Sequence, residues 1–337
     1  MSNQVIRHTS RRLVVISVLM MITALLPASI HGQETQSNQA RRHPLLVRAR
    51  EGDTPATIAQ RYLNDASKGW MIHEYNDIAA FSGGEAVAVP VVPFRPGGLA
   101  PDGYQIVPVL AFSDIGATSG QKNRLSIAAF KKQMQWLKTQ GFTTITPAQL
   151  VGFLDFSEQL PRRSVLITAD TDSLSFNDVA APVMTALGFT ATVFVAADRV
   201  NEKGAMTWNQ LKLLGKAGFT IGCRGRLGRS LIRRKKGQSF KNNFYWIESE
   251  LRYAKKKMEA HLGQPCRFLA YPQGRTNNLV SAMAAKIGFS AAFGLSPGDT
   301  PFFANRFSIH RTVIDHRIGL DQFGSRLNTF IAADLNR

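Results

Sequence analysis

A parallel α/β barrel preceded by a small α+β unit is the architecture this sequence predicts. Three observations carry that reading. Short apolar runs recur from Ile106 onward with helical stretches between them, and such alternation builds a mainly parallel sheet. The runs number about seven, enough for the sheet to close. A Pro/Gly-rich segment, Pro96-Gly97-Gly98-Leu99-Ala100-Pro101, separates them from a compact strand–helix–helix–strand pattern upstream.

The chain opens with Arg7, Arg11 and Arg12, then an apolar run from Leu13 to Leu26, then the small residues Ala28, Ser29 and Gly32, with no acid before Glu34. A basic start, an apolar middle and small residues behind it predict a secretory signal over 1–32. The run is short for a membrane span, which needs about 20 residues. An uncleaved anchor, with membrane contact, is the alternative. A polar linker, 33–43, follows. The expected location is the periplasm or cell envelope.

The small unit is expected over 44–93. Leu45-Leu46-Val47 reads as a strand, and Glu51-Gly52-Asp53-Thr54 as a turn opening a helix with Ile58, Ala59 and Tyr62 at helical spacing. A second helical stretch carries Trp70, Ile72 and Tyr75 and ends at Asn76, and Ala86 to Val92 alternates as a strand. After a linker, 94–103, the large domain occupies 104–337. Its expected strands are Ile106–Phe112, Phe142–Ile145, Val165–Thr168, Ala191–Val195, Phe219–Cys223, Arg267–Tyr271, Ser290–Phe293 and Phe307–Val313. Helices are expected between most of them, from Leu125 to Thr139 and, longest, from Phe240 to Leu262.

Net charge is +18, and the excess is local: eleven Lys and Arg and no Asp or Glu lie between Lys203 and Ile247. The densest part is Arg224, Arg226, Arg229, Arg233, Arg234, Lys235 and Lys236. Such a patch attracts polyanions. In an exported protein these are cell-wall polymers, acidic polysaccharides and lipid head groups, and no nucleic-acid motif is present. Of the two cysteines, Cys223 closes one expected strand and Cys266 opens the next. In parallel neighbours that places the sulfurs on the order of 10 Å apart, so two free thiols are expected.

The residues most charged with chemistry follow the strand Val165–Thr168. Asp170-Thr171-Asp172 stands where a parallel strand ends, the end at which barrels build their sites. Thr168-Ala169-Asp170-Thr171-Asp172 resembles the opening motif of the polysaccharide deacetylase (NodB homology) family, usually Thr-Phe-Asp-Asp-Gly. The resemblance extends to Val107-Pro108-Val109-Leu110, Phe130 through Gly141-Phe142, Gly188 to Val195, Thr207-Trp208 and Ala270-Tyr271-Pro272-Gln273-Gly274. It implies the family's distorted barrel, a polysaccharide ligand, and hydrolysis of acetyl groups assisted by a divalent metal bound through one Asp and two His. Upstream, Glu51-Gly52-Asp53-Thr54, Ile58-Ala59, Tyr62, Tyr75-Asn76 and Gly84-Glu85 leading to Val89-Pro90 resemble a LysM domain. That resemblance implies an N-acetylglucosamine polymer such as peptidoglycan as ligand, held by Gly52, Asp53, Thr54, Tyr75 and Asn76.

Carried over position by position, the family's catalytic base falls on Asp170. Its three metal ligands fall on Thr171, Arg224 and Gly228, and Phe112-Ser113 replaces a frequent Tyr-His. A guanidinium offers no acceptor and keeps its charge, so no metal ligand set survives and no cofactor is expected. Arg224 is expected to pair with Asp170 and to fill the volume and charge of the absent cation, leaving a fork for a carboxylate-bearing or phosphate-bearing sugar. Tyr271, Pro272, Gln273 and Gly274 keep the loop that donates backbone N–H to the oxyanion in the family. His310, near the last strand, is a further candidate acid. The expected protein is a glycan-binding, catalytically degenerate member of the family. The alternative is an active carbohydrate deacetylase, with a divalent metal such as zinc as its cofactor.

Overall fold

The computed structural model describes residues 44–78, 80–92, 94–112, 114–116, 124–232 and 236–333. The expected signal and linker at 1–43, Ser113 and the basic residues Arg233, Arg234 and Lys235 lie outside them.

In the small unit, β1 (Leu45–Arg48) pairs antiparallel with β2 (Ala86–Val89). Between them lie α1 (Pro55–Leu63) and α2 (Gly69–Asn76). Thr54 caps α1 by accepting from Thr57 N, and Pro55 at the first turn needs no donor. Ile58, Ala59, Ile72, Val87 and Val89 close a small core. The expected strand–helix–helix–strand order is thus observed.

The segment after it is not a free tether. Pro96–Gly98 forms a turn and Leu99–Ala100 pairs with the next strand. A Cβ at Gly98 would lie 2.3 Å from the Gln105 side chain, so the expected linker is packed onto the barrel. Gln159 Oε1 accepts from Phe94 N and Arg95 N, and Glu74 accepts from Arg162 N and pairs with Arg95. The two units are docked by these contacts.

The large domain contains β3 (Gly103–Val107), β4 (Val109–Phe112), α3 (Ile127–Thr139), β5 (Thr143–Thr144), β6 (Ser164–Asp170) and β7 (Thr192–Val195). There follow α4 (Trp208–Lys216), β8 (Thr220–Cys223), α5 (Phe240–Leu262), β9 (Phe268–Ala270), α6 (Asn278–Ile287), β10 (Ala291–Phe293) and β11 (Thr312–Ile314). The parallel sheet runs β10-β9-β8-β7-β6-β4-β11, with β5 beside the start of β6. It curls, and a bridge from Phe293 to Ile309 joins its two edges.

Two expected strands change most. The run Ile106–Phe112 breaks at Pro108, which cannot donate to a ladder. Its first half, β3, turns antiparallel onto Thr300–Pro301 and Phe330–Ala332, and only β4 enters the barrel. The last strand shortens from Phe307–Val313 to Thr312–Ile314 because Ile309 has already bridged to β10.

Period-2 alternation along β6 decides what the site is made of. Val165, Ile167 and Ala169 join the core shared with the helices, while Leu166 lies inside the barrel with Val109, Phe194, Phe268 and Phe293. Thr168 and Asp170 share the inward face. The interior is tight at Gly222, where a Cβ would lie 2.4 Å from the Phe194 ring.

The two cysteines are free and buried, but the separation argued above does not hold. Cys266 stands two residues before β9 and packs into the helix-side core, where its thiol meets Met258 Sδ at 3.9 Å. A hydrogen bond with Cys223 and burial push its pKa well up.

Candidate functional site

Asp170 ends β6 inside the barrel, and its partner is Arg311 rather than the expected Arg224. Arg311 Nη1 and Nη2 donate to the two carboxylate oxygens at 2.6 and 2.8 Å. Arg311 Nη1 also donates to Thr168 Oγ1, and Nε to Gly294 O. The guanidinium sits 5.5 Å from the Phe194 ring centroid, and Arg311 is 0 % exposed. A buried cation is tolerable only when paired and hydrogen bonded, and this one is both. It plugs the barrel above the aromatic interior.

Arg224 follows β8 and turns to Asp172. Its Nη2 donates to Asp172 Oδ2 at 2.5 Å, while Asp172 Oδ1 accepts from Ala196 N. Arg224 thus pairs with Asp172 instead of the expected Asp170. Asp170, facing inward, takes the arginine from β11's approach; Asp172, past the strand end, meets the arginine of β8. Arg224 does not point away into bulk water: its side chain is about one-fifth exposed, and its Nε is buried with no hydrogen-bond partner.

Thr171 lies between the aspartates, buried, with its hydroxyl accepting from Ser173 N. Gly228 stands at φ +66°, and a Cβ there would lie 3.8 Å from Arg224 Cζ. The guanidinium of Arg224 thus covers the position of Gly228. A third pair, Arg124 Nη2 on Asp114 Oδ2 at 2.6 Å, closes the other side. A cavity of about 370 Å³ is lined by Asp170, Thr171, Asp172 and Arg224 from the sequence reading, together with Asp114, Arg124, Arg199 and Lys203.

Sequence reasoning missed Arg311, Asp114 and Arg124. In the expected strand Phe307–Val313, Arg311 alternates with apolar Ile309, which hinted at an inward side chain, although in the structure both precede β11. Asp114 and Arg124 sit in connections, where no periodicity marks them. His310 and His316 are exposed and do not line the cavity.

The loop Tyr271-Pro272-Gln273-Gly274 is near but not in the cavity. Pro272 Cγ would touch a Cβ at Gly225, one residue beyond Arg224. Gln273 is left-handed at φ +59°, and Gly274 N–H is spent on Tyr271 O. Tyr271 is buried, donates to Phe307 O at 2.8 Å, and has its pKa pushed up to about 12 by burial.

In the small unit the expected glycan residues have internal work. Asp53 accepts from Arg61, Arg50 N and Thr57, and the Arg61 guanidinium holds its carboxyl well below the usual range. Thr54 is the helix cap. Asn76 bridges α2 to β2 through Ile72 O, Ala88 O and Ala88 N. Tyr75 packs edge-on against Phe94 at 4.9 Å. A Cβ at Gly52 would meet nothing within 4 Å, and Thr54 and Tyr75 are also exposed. In the basic segment, Arg226 is likewise engaged, with Asp198, Glu250 and the face of Tyr253.

The residues present do not fit a divalent cation. The mouth carboxylates each carry a guanidinium, no imidazole lines the cavity, and a threonine hydroxyl is neutral. Among the described residues no group of three or more His, Cys, Asp or Glu is arranged to hold a metal.

The curled parallel sheet with its site at the strand ends is shared with solved deacetylase structures. The polysaccharide deacetylase family model matches residues 157–292. YxkH of Bacillus subtilis (strain 168), whose name places it among polysaccharide deacetylases, is 24 % identical over 223 residues, covering 66 % of this chain and 76 % of that protein. The Streptococcus pyogenes deacetylase PplD superposes with a TM-score of 0.61 at 19 % identity, over 66 % of this chain and 98 % of that one. The de-N-acetylase from Aggregatibacter actinomycetemcomitans gives 0.60 at 16 % identity, over 66 % and 100 %. The family model makes residues 157–292 similar to polysaccharide deacetylases, and the solved structures show that the chain shares their fold.

Proposed function

We propose that this chain is an exported cell-envelope protein that binds an acidic glycan at the barrel mouth and does not carry out metal-dependent deacetylation. One observation carries the reading: the three mouth aspartates, Asp114, Asp170 and Asp172, are each engaged by an arginine. A dication held as in the family needs a free carboxylate and imidazoles; here each aspartate already carries a guanidinium as its counter-charge. Arg224, partly exposed and with an unpartnered Nε, offers donors to a carboxylate of a uronic or muramic acid, or to a teichoic phosphate. Lys203 adds positive charge on the same wall, where Arg199 is paired with Glu202. The 1–32 signal reading and the LysM-like sequence pattern favour export and an envelope glycan.

The test is calorimetric titration with oligogalacturonate and with neutral chitooligosaccharide. The acidic oligomer is expected to bind, with affinity falling steeply as salt rises, and Arg224→Gln is expected to weaken it about tenfold, the scale of one charge-assisted hydrogen bond. Equal affinity of wild type and variant for the acidic oligomer contradicts the assignment.

A second reading, acetyl hydrolysis, is favoured by one feature. Asp170 is held in a fixed bidentate grip at the strand end, as an oriented base would be.

A further inference from the structure

Phe240, which opens α5, is left outside the core that the rest of the helix serves. The helix buries Asn243, Ile247, Leu251, Ala254 and Met258, a stripe at helical spacing. Phe240 prolongs that stripe by one step toward the helix start, yet it is 64 % exposed. Tyr245, in the next turn, is 56 % exposed. Half-buried Phe244 joins the two, its ring centroid 6.5 Å from that of Phe240 and 5.6 Å from that of Tyr245. Three aromatic rings thus form one cluster at the helix start, and two of them project into solvent. Contiguous exposed apolar groups mark interaction surfaces.

The surroundings of the cluster are cationic. Around the helix axis Lys241 projects between Phe244 and Tyr245, and Lys236 stands just before the helix; both are exposed. Lys286 of α6 lies 5.4 Å from the Phe244 ring centroid. No Asp or Glu occurs in the sequence between Lys203 and Ile247. The first acids beyond it already have cations beside them, Glu248 through Arg252 and Lys286, and Glu250 through Arg226.

Exposed rings beside lysines match one kind of partner. Lysines are drawn to anionic head groups, while aromatic side chains enter the boundary between head groups and acyl chains. A phenylalanine ring has no polar atom for a sugar hydroxyl. Phe240 and Tyr245 also stand outside the mouth cavity, on a projecting helix end. No helix of the described residues is long and apolar enough to cross a membrane, so the contact made here is peripheral. Because α5 carries the chain back from β8 to its parallel neighbour β9, it starts at the end of the sheet where β8 stops. That end is the barrel mouth.

We propose that the start of α5, with Phe240, Phe244 and Tyr245 flanked by Lys236 and Lys241, is a docking surface for an anionic lipid bilayer and turns the barrel mouth toward it. This surface is separate from Arg224 and does not rest on the glycan reading of the mouth.

The test is co-sedimentation of the full chain with vesicles of phosphatidylcholine alone and of phosphatidylcholine mixed with phosphatidylglycerol. Binding to the mixed vesicles is expected to be about twentyfold tighter, the share of two lysines at an anionic surface, and to weaken as salt rises. Lys236→Gln combined with Lys241→Gln is expected to remove that preference. Phe240→Ser is expected to weaken binding about tenfold, as loss of a buried aromatic side chain does, while leaving the urea midpoint unchanged. Arg224→Gln is expected to bind vesicles as wild type does. The proposal is overturned if both kinds of vesicle bind equally, if Phe240→Ser and Tyr245→Ser both bind as wild type does, or if Arg224→Gln removes the binding. It is also overturned if Phe240→Ser weakens binding of oligogalacturonate, which would make the patch a glycan site.

Discussion

Asp170 and Asp172 are two residues apart, yet their arginine partners live under different conditions. Arg311 is wholly buried, and its donors go to Asp170, Thr168 and Gly294. Arg224 is partly exposed, makes one short contact with Asp172, and keeps a buried Nε without a partner. The inner pair is a floor that closes the barrel. The outer pair is a rim with hydrogen-bonding capacity to spare. Position relative to the strand end makes the difference: Asp170 lies within the alternation of β6 and is driven inward, whereas Asp172 lies beyond it and meets the loop after β8.

Cutting the inner pair is expected to have the largest effect. Arg311→Ala leaves a buried carboxylate without its cation, and a loss of about 3–5 kcal/mol is expected, read as a fall in the urea midpoint. Arg311→Met combined with Asp170→Leu, which removes both charges, is expected to recover most of it. A double variant no better than the single one would show that the arginine acts through packing and not as a counter-charge.

Cutting the outer pair sharpens the same contrast. Arg224→Ala is expected to cost about 1 kcal/mol or less, as partly exposed pairs do. A loss as large as that of Arg311→Ala would erase the distinction between floor and rim.

The smallest effect concerns Tyr271, on the loop beside the rim. Its pKa is raised from the ordinary 10 to about 12 by burial. Folding therefore favours the protonated phenol. The stability this contributes is full below pH 10 and is lost as pH rises toward 12. One tyrosine is expected to ionise late in a spectrophotometric titration, and Tyr271→Phe is expected to abolish that late step.

Much of the fold was legible because it rests on local pattern. The helix Phe240–Leu262 was placed to the residue, since Ser239 caps its start and Gly263 ends it at φ +71°. The β6 cluster was placed correctly at a strand end. Pairing between elements was not legible in the same way. Arg224 and Arg311 are both arginines beside strands, and which one reaches Asp170 depends on strand order and facing. Cys223 and Cys266 are free as expected, but their separation was misjudged for a related reason: Cys266 lies outside the regular strand from which the distance was reckoned. The small unit's Asp53 and Asn76 illustrate a different limit. A polar residue in a motif is equally suited to holding a fold together, and only its hydrogen-bond partners show that it does so.

The central claim is that guanidinium groups have taken the electrostatic place of a dication in the barrel mouth. Metal analysis of the purified chain after incubation with zinc, paired with acetate release from acetylated chitooligosaccharide, tests it most directly. No stoichiometric zinc and no acetate above the Asp170→Asn background are expected. One equivalent of zinc, with acetate release that chelation and Asp170→Asn both abolish, would contradict it.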